Sequence, residues 1–290
     1  MAVLLIAAAI AFPRPALART AASAGEHRPP LQKSASFGAY QANTYFDPGS
    51  NTNDARFEIL KQGRPIYRLR ARDNGARFVI GKLYDDDPDA RLVTMGADIT
   101  GDGQPDLVVS EWSGGANCCL TLHIFEIGRR LRKIGAIDAA YGDTGPHFVK
   151  LKDPGLQVQV YDWTFANWHS DFASSPAPRV ILSYQRGAYR IAPDLMSTAA
   201  PDMKDVAAKI GQIRDATKSL RAGSWPGADI PPLLWGTMLD LIYSGHRLLA
   251  WQVVDMAWPK QIGGKETFVD DFIAQMKKSP YWKTVAALGS

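Results

Sequence analysis

Residues 97–126 read ADITGDGQPDLVVSEWSGGANCCLTLHIFE, and the fold is read outward from them because they combine an aspartate-rich loop, a strand-like run and both cysteines of the chain. From Asp98 the pattern Asp98-Ile-Thr100-Gly-Asp102-Gly103-Gln104-Pro-Asp106 puts side-chain oxygens at loop positions 1, 3, 5 and 9, glycine at 6 and the Gln104 carbonyl at 7. In such a loop alternate residues turn inward on a hard cation, and glycine takes the bend that a Cβ would obstruct. Every donor is oxygen. That set suits Ca2+, whereas magnesium demands a tighter octahedron and zinc prefers nitrogen or sulfur. Asp98, Thr100, Asp102, Gln104 and Asp106 are therefore the expected ligands of a structural calcium ion.

Position 12 is Val109, where an EF-hand has a bidentate glutamate, and Leu107-Val108-Val109 is a β run where an EF-hand or a dockerin has helix. In these residues the chain resembles the FG-GAP and VCBS-type calcium-binding repeats of exported bacterial proteins, in which a D-x-[DNT]-x-D-G-x-x-D loop leads directly into a strand such as Asp-Leu-Val-Val. About one repeat loop is recognisable. The resemblance implies a β-scaffold, adhesion or propeller-type roles, and an ion that is structural. Thr100 in place of Asp or Asn removes a formal charge, so affinity is expected in the extracellular range, on the order of 10⁻⁴ to 10⁻³ M.

Around this loop, residues 55–195 alternate short β-branched and aromatic runs with Gly, Pro, Asp and Asn, the pattern of an antiparallel β-domain. A hairpin phrase recurs in it: FEILKQGRPIYRLR from Phe57, HIFEIGRRLRKIG from His123 and RVILSYQRGAYRIA from Arg179. The second and third are each preceded by a further strand, so each repeat is expected to be a three- or four-stranded sheet, blade-like or stacked as a sandwich. Beyond Pro193 the periodicity becomes helical. Helices are expected at about 202–220, 232–244, 246–258 and 265–278, with Gly245 as a C-cap. The fold class is thus α+β: a calcium-loop β-domain over 55–195 and a helical domain over 200–290, preceded by a linker or arm over 19–54.

Ala2 to Phe12 is an apolar run of signal-peptide length, followed by Ala16-Leu17-Ala18, a small-x-small cleavage pattern. Residues 1–18 are expected to be a bacterial-type export signal leading to the periplasm or outside the cell. No later run is long and apolar enough for a membrane span. The net charge of +4 is weak, and the densest basic group, Arg129, Arg130, Arg132 and Lys133, falls at an expected hairpin tip, so nucleic acid is not the expected partner. The acidic run Asp85-Asp86-Asp87-Pro88-Asp89 lacks the alternate spacing of a metal loop and reads as a solvated turn.

Two further places carry chemistry. Cys118 and Cys119 are adjacent, which allows a vicinal disulfide, two buried thiols, pairing with another chain or a reactive thiol approached by His123 or His147. The segment Tyr161 to Phe172 concentrates aromatic rings, with Tyr161, Trp163, Trp168 and His169 forming either a ligand surface or a sheet face covered by the helices. Together these features point to an exported, non-catalytic binding protein with a protein or saccharide partner and a calcium-stiffened β-domain. The alternative is a periplasmic hydrolase centred on Trp163 to Asp171.

Overall fold

The computed structural model describes residues 29–47, 49, 55–71, 75–84, 86–115, 119–140, 145–152 and 154–289. The expected leader and Cys118 lie outside the described residues. The chain is α+β, with antiparallel sheets in its N-terminal part and helices in its C-terminal part. Three sheets are four-stranded meanders. The first comprises β1 (Leu31–Phe37), β2 (Tyr40–Tyr45), β3 (Arg56–Lys61) and β4 (Arg64–Arg70), and the second β5 (Arg77–Ile80), β6 (Asp106–Trp112), β7 (Leu120–Ile127) and β8 (Leu131–Asp138). The third holds β9 (His147–Val149), β10 (Gln157–Tyr161), β11 (Arg179–Gln185) and β12 (Ala188–Ile191).

Each recurring phrase is the third and fourth strand of one meander. Its turn chemistry explains why: Gln62-Gly63 (φ 49° and 76°) and Arg186-Gly187 (φ 51° and 85°) adopt the positive-φ pair of a two-residue hairpin whose twist matches its strands. The expected linker over 19–54 is corrected by this topology. Residues 31–45 supply β1 and β2, and β2 pairs with β3 from Tyr40↔Lys61 to Tyr45↔Arg56. The alternating burial of these strands is partial and polar, since β1 is largely exposed, so the sequence carries no clean apolar period there.

The second sheet is covered on both sides, which is why β6 and β7 are near-continuous apolar runs. One face, with Phe78, Ile80, Leu107, Val109 and Phe125, packs on Phe57 and Ile59 of the first sheet, with the Phe57 and Phe125 rings 5.9 Å apart. The opposite face, with Val108, Leu122 and Ile124, joins a core that runs through the third sheet into the helices.

The helices are α1 (Pro193–Met196), α2 (Met203–Thr217), α3 (Leu233–Tyr243), α4 (Arg247–Ala257), α5 (Lys265–Met276) and α6 (Trp282–Val285). Asp202 caps α2 by accepting from the Lys204 amide, and Gly245 at φ 88° ends α3, as its sequence position predicts. The helices share their apolar core with the third sheet, and Phe165, in the segment after β10, lies 5.1 Å ring to ring from Phe272 of α5. A buried polar contact fastens the same junction: Asp162, only 3% exposed, accepts from the Tyr243 and Ser279 hydroxyls. Its desolvated charge thereby has donors from α3 and from Ser279, three residues past the end of α5. Among the described residues, no helix is long and apolar enough to cross a membrane.

Candidate functional site

The loop expected to bind calcium leads directly into β6. Its ends are tied by Gly96 N–H to Asp106 O (2.8 Å) and Asp106 N–H to Ala97 O (2.9 Å), while Ile99 sinks into the core at 1% exposure. Within it Asp98 turns inward. Its Oδ1 accepts from the amides of Gly101 (2.7 Å) and Asp102 (3.2 Å), and its Oδ2 from Gly103 (2.9 Å). Asp106 closes the loop from the other end: Oδ2 accepts from the amides of Ile99 and Thr100, both at 3.0 Å, and from the Thr100 hydroxyl at 3.1 Å.

The other oxygen of that carboxylate differs. Asp106 is 1% exposed, and its Oδ1 has no hydrogen-bond partner. Burial accordingly pushes the Asp106 carboxyl up to about 6, against the lowering effect of the Thr100 and Ile99 donors, and the nearby Asp102 charge pushes the same way as burial. A buried carboxylate oxygen without a donor is costly, and a cation is one way to satisfy it.

Two glycines hold the loop against its neighbours. A Cβ on Gly101 (φ +75°) would stand 2.2 Å from Gly155 N, and one on Gly155 (φ +78°) would stand 2.4 Å from Thr100 O. The turn before β10 therefore touches the loop backbone to backbone, and Leu156 N–H donates to Ile99 O at 2.7 Å. Tyr189 of β12 adds a hydroxyl donated to the same carbonyl at 3.3 Å. Burial first, then the charges of Asp106, Tyr184 and Asp98, raise the Tyr189 phenol well above its ordinary range.

Asp102 and Gln104 stand at the rim. Asp102 Oδ1 accepts the Gln104 amide at 3.0 Å, and its Oδ2 is 3.8 Å from the Arg132 guanidinium, which bonds more closely to Glu126 Oε2 (2.5 Å) and the Tyr184 hydroxyl (3.0 Å). The Gln104 side chain lies against Gly128, leaving its backbone carbonyl as the atom expected at position 7. Among the described residues, no group of three or more His, Cys, Asp and Glu side chains is gathered as a metal shell. The oxygen-bearing groups of the loop are the carboxylates of Asp98, Asp102 and Asp106, the Thr100 hydroxyl and the Gln104 amide and carbonyl.

The second acidic run is not simply solvated. Lys82, 3% exposed, lies 3.1 Å from Asp87 and 3.4 Å from Asp89, and also donates to Pro146 O. Asp89 accepts from Phe148 N–H and so joins this segment to β9. Lys82 precedes the run by several residues and is folded back under it, a placement that spacing within the run does not reveal. Asp85 lies outside the described residues.

The aromatic segment is divided between roles. Trp168 packs among Phe165, Trp225, Trp235 and Phe268, with centroids 5.0 to 6.1 Å away. Exposed His169 rests on Trp225 at 4.4 Å, Trp163 stacks on Phe172 at 5.1 Å, and the Tyr161 hydroxyl accepts from Gln159 at 2.9 Å. The strand β10 ends at Tyr161, because Asp162 accepts the Thr164 amide and turns the chain. His169, Ser170 and Asp171 share no hydrogen bond: Ser170 donates to Trp168 O, and Asp171 accepts from the amide and hydroxyl of Ser174. A triad relay requires the histidine to bond both partners, so these three do not form one.

One cluster was not assembled by the sequence. Between the first and second sheets lies an open cleft of about 400 Å³, lined by residues including Arg70, Glu111, Cys119, Thr121, His123 and Lys133. His123 Nε2 is 2.6 Å from Glu111 Oε2, while its Nδ1 is buried with no hydrogen-bond partner. Cys119 is disulfide-bonded and its amide donates to Ser113 Oγ at 2.5 Å; the chain's other cysteine is Cys118. The polar positions 111, 121 and 123 interrupting apolar strands were the visible signal. Their convergence follows from the β6–β7 register, Val109↔His123 and Glu111↔Thr121, and from the approach of β4.

Compared with known proteins, the chain matches no protein-family model and no curated protein.

Proposed function

We propose that this chain is an exported, non-catalytic binding protein whose stacked, blade-like β-sheets are stiffened by Ca2+ at the FG-GAP/VCBS-like loop from Asp98 to Asp106. The observation that carries the reading is Asp106: a carboxylate at 1% exposure with one oxygen fully donated to and the other without a partner. A neutral turn needs no such group, whereas a loop for a divalent cation does. Asp98 and Asp102, the Thr100 hydroxyl and the Gln104 carbonyl are the further oxygens assigned to the ion. The role follows from position, because the loop touches the turn before β10 and Tyr189 of β12, so an ion there braces the second sheet against the third. Export to the periplasm or beyond rests on the apolar run and cleavage pattern in residues 2–18.

Chelation tests this reading. EGTA is expected to lower the melting temperature of the purified protein, millimolar CaCl2 to restore it, and Asp102→Ala to remove the response. A melting curve indifferent to both additions sinks the calcium assignment.

A further inference from the structure

Each of the three recurring hairpins turns through basic residues, and the fold brings the three turns together. Lys61, at the first turn, donates from Nζ to the carbonyl of Arg129 in the second at 3.0 Å. Arg132, just past the second turn, donates to the Tyr184 hydroxyl of β11 at 3.0 Å, and a Cβ on Gly187 in the third turn would stand 3.8 Å from its Nη1. We propose that this surface of three hairpin turns binds an acidic polysaccharide, with Arg64, Arg129, Arg130 and Arg186 as its contacts to the anionic groups. The proposal rests on the reading of the chain as an exported binding protein, and it does not depend on the calcium ion.

The balance of charge decides the sign of the partner. Lys61 has neutral partners, the Tyr40 hydroxyl and the Arg129 carbonyl, both at 3.0 Å. Arg64, Arg129, Arg130 and Arg186 are exposed and have no acidic partner among the described residues. Other cations nearby are compensated. Arg132 faces Glu126 and Asp102, Arg68 faces Glu58, and Lys133 shares its cleft with Glu111. Gln104 of the calcium loop lies against Gly128 of the second turn, so the carboxylates of that loop count as well. Asp98 and Asp106, which bond to amides and the Thr100 hydroxyl and to no cationic side chain, set two negative charges against the five positive ones before any ion is counted. The surface stays positive, and a field of one sign concentrates the opposite sign.

The turns narrow that partner to a polymer recognised by charge alone. An exposed ion pair is worth little by itself, so the partner must reach several of these arginines at once, as a chain with anionic groups on successive sugars does. Guanidinium forks take carboxylates and other oxyanions through paired hydrogen bonds. The turns themselves, Gln62-Gly63, Gly128-Arg129-Arg130 and Arg186-Gly187, hold no apolar or aromatic side chain. A bilayer-seated surface adds apolar area to its basic residues, single-stranded nucleic acid is held by stacking rings, and protein interfaces centre on aromatic or aliphatic anchors. Ile66, two residues past Arg64, is one exposed apolar side chain, and the Tyr40 ring, 4% exposed, lies under Lys61 and is closed to a ligand.

Isothermal titration of the full chain with dextran sulfate tests this, with uncharged dextran, phosphatidylglycerol vesicles and duplex DNA as comparison arms. Dextran sulfate is expected to bind with an affinity that falls about tenfold or more between about 50 and 200 mM NaCl, and dextran not to bind. The triple variant Arg64→Gln, Arg130→Gln, Arg186→Asn changes one residue in each turn and is expected to weaken dextran sulfate about tenfold or more, each single substitution about twofold. Asn suits the positive φ of Arg186, and all three side chains are exposed, so an unchanged melting temperature verifies the fold. Removing the same charge from the helical part, with Lys204→Gln, Arg221→Gln and Lys277→Gln together, is expected to leave binding unchanged. Failure of dextran sulfate to bind in low salt, a loss in this control equal to that of the triple variant, a response confined to one turn, or tighter binding of vesicles or DNA overturns the proposal. Repeating the titration in CaCl2 and in EGTA separates it from the calcium reading. Binding in both, with melting indifferent to calcium, removes only the ion; calcium-dependent melting without dextran sulfate binding removes only the polysaccharide.

Discussion

Two acidic loops flank the start of the second sheet's long strands, and they neutralise themselves by opposite means. In the run ending at Asp89, Asp87 and Asp89 close on the ammonium of Lys82, a buried side chain brought from outside the run. In the loop from Asp98 to Asp106, backbone amides do most of the closing, and one buried oxygen of Asp106 is left over. Asp89 also keeps a buried Oδ1 without a hydrogen bond, but its carboxylate stands 3.4 Å from the Lys82 ammonium, whereas amide dipoles orient the Asp106 carboxylate without cancelling its charge. Acidic density alone therefore says little about metal binding. What matters is whether a cationic side chain is folded into the same space.

The largest expected effect breaks the first loop. Lys82→Met leaves two carboxylates without their buried partner, and a loss of about 3–5 kcal/mol is expected by urea unfolding, independent of calcium. A loss below about 1 kcal/mol would show that this lysine does not neutralise the run.

Asp106→Asn sharpens the contrast at the second loop. Wild type is expected to gain about 2.7 kcal/mol from calcium at a hundredfold excess over its dissociation constant, and the variant nothing. The same residue sets a pH dependence in EGTA. Its folded-state pKa of about 6 lies above the ordinary 3.8, so the folded protein holds the extra proton between those values. Its contribution is then fully present below about pH 4 and lost as pH rises to about 6, by about 3 kcal/mol at most. The difference in stability between wild type and Asp106→Asn, measured by unfolding from pH 4 to 7, should trace that loss. A flat difference would contradict it.

The smallest effect lies at the rim. Arg132 is 45% exposed and divides itself among Glu126, Tyr184 and, more distantly, Asp102. Arg132→Gln should cost less than about 1 kcal/mol of stability, as exposed pairs do. Removing that positive charge should tighten calcium a fewfold, readable by titration. Weaker calcium binding in this variant would make Arg132 a support of the loop instead of a competitor for it.

Much of this was legible in the chain. The hairpins at Gln62-Gly63 and Arg186-Gly187, the helix boundaries at Asp202 and Gly245, and the strand after Asp106 all follow from local rules of turn, cap and period. Residues 31–45 were missed as strands because the outermost strand is mostly exposed and has no apolar alternation to betray it. The end of the strand before Trp163 was not legible, because Asp162 turns the backbone and buries its carboxylate against Tyr243 and Ser279, partners 81 and 117 residues away.

The sequence by itself determined the loop spacing from Asp98 to Asp106, the three hairpin phrases and the change from β to helix, because each depends on residues within a few positions of one another. Tertiary structure alone decided that Lys82 quiets one acidic run, that Asp106 keeps an unmatched oxygen, and that Arg70, Glu111, His123 and Lys133 share a cleft. Those outcomes depend on which strands become neighbours and on which groups lose their water, and both are set by the packing of whole sheets.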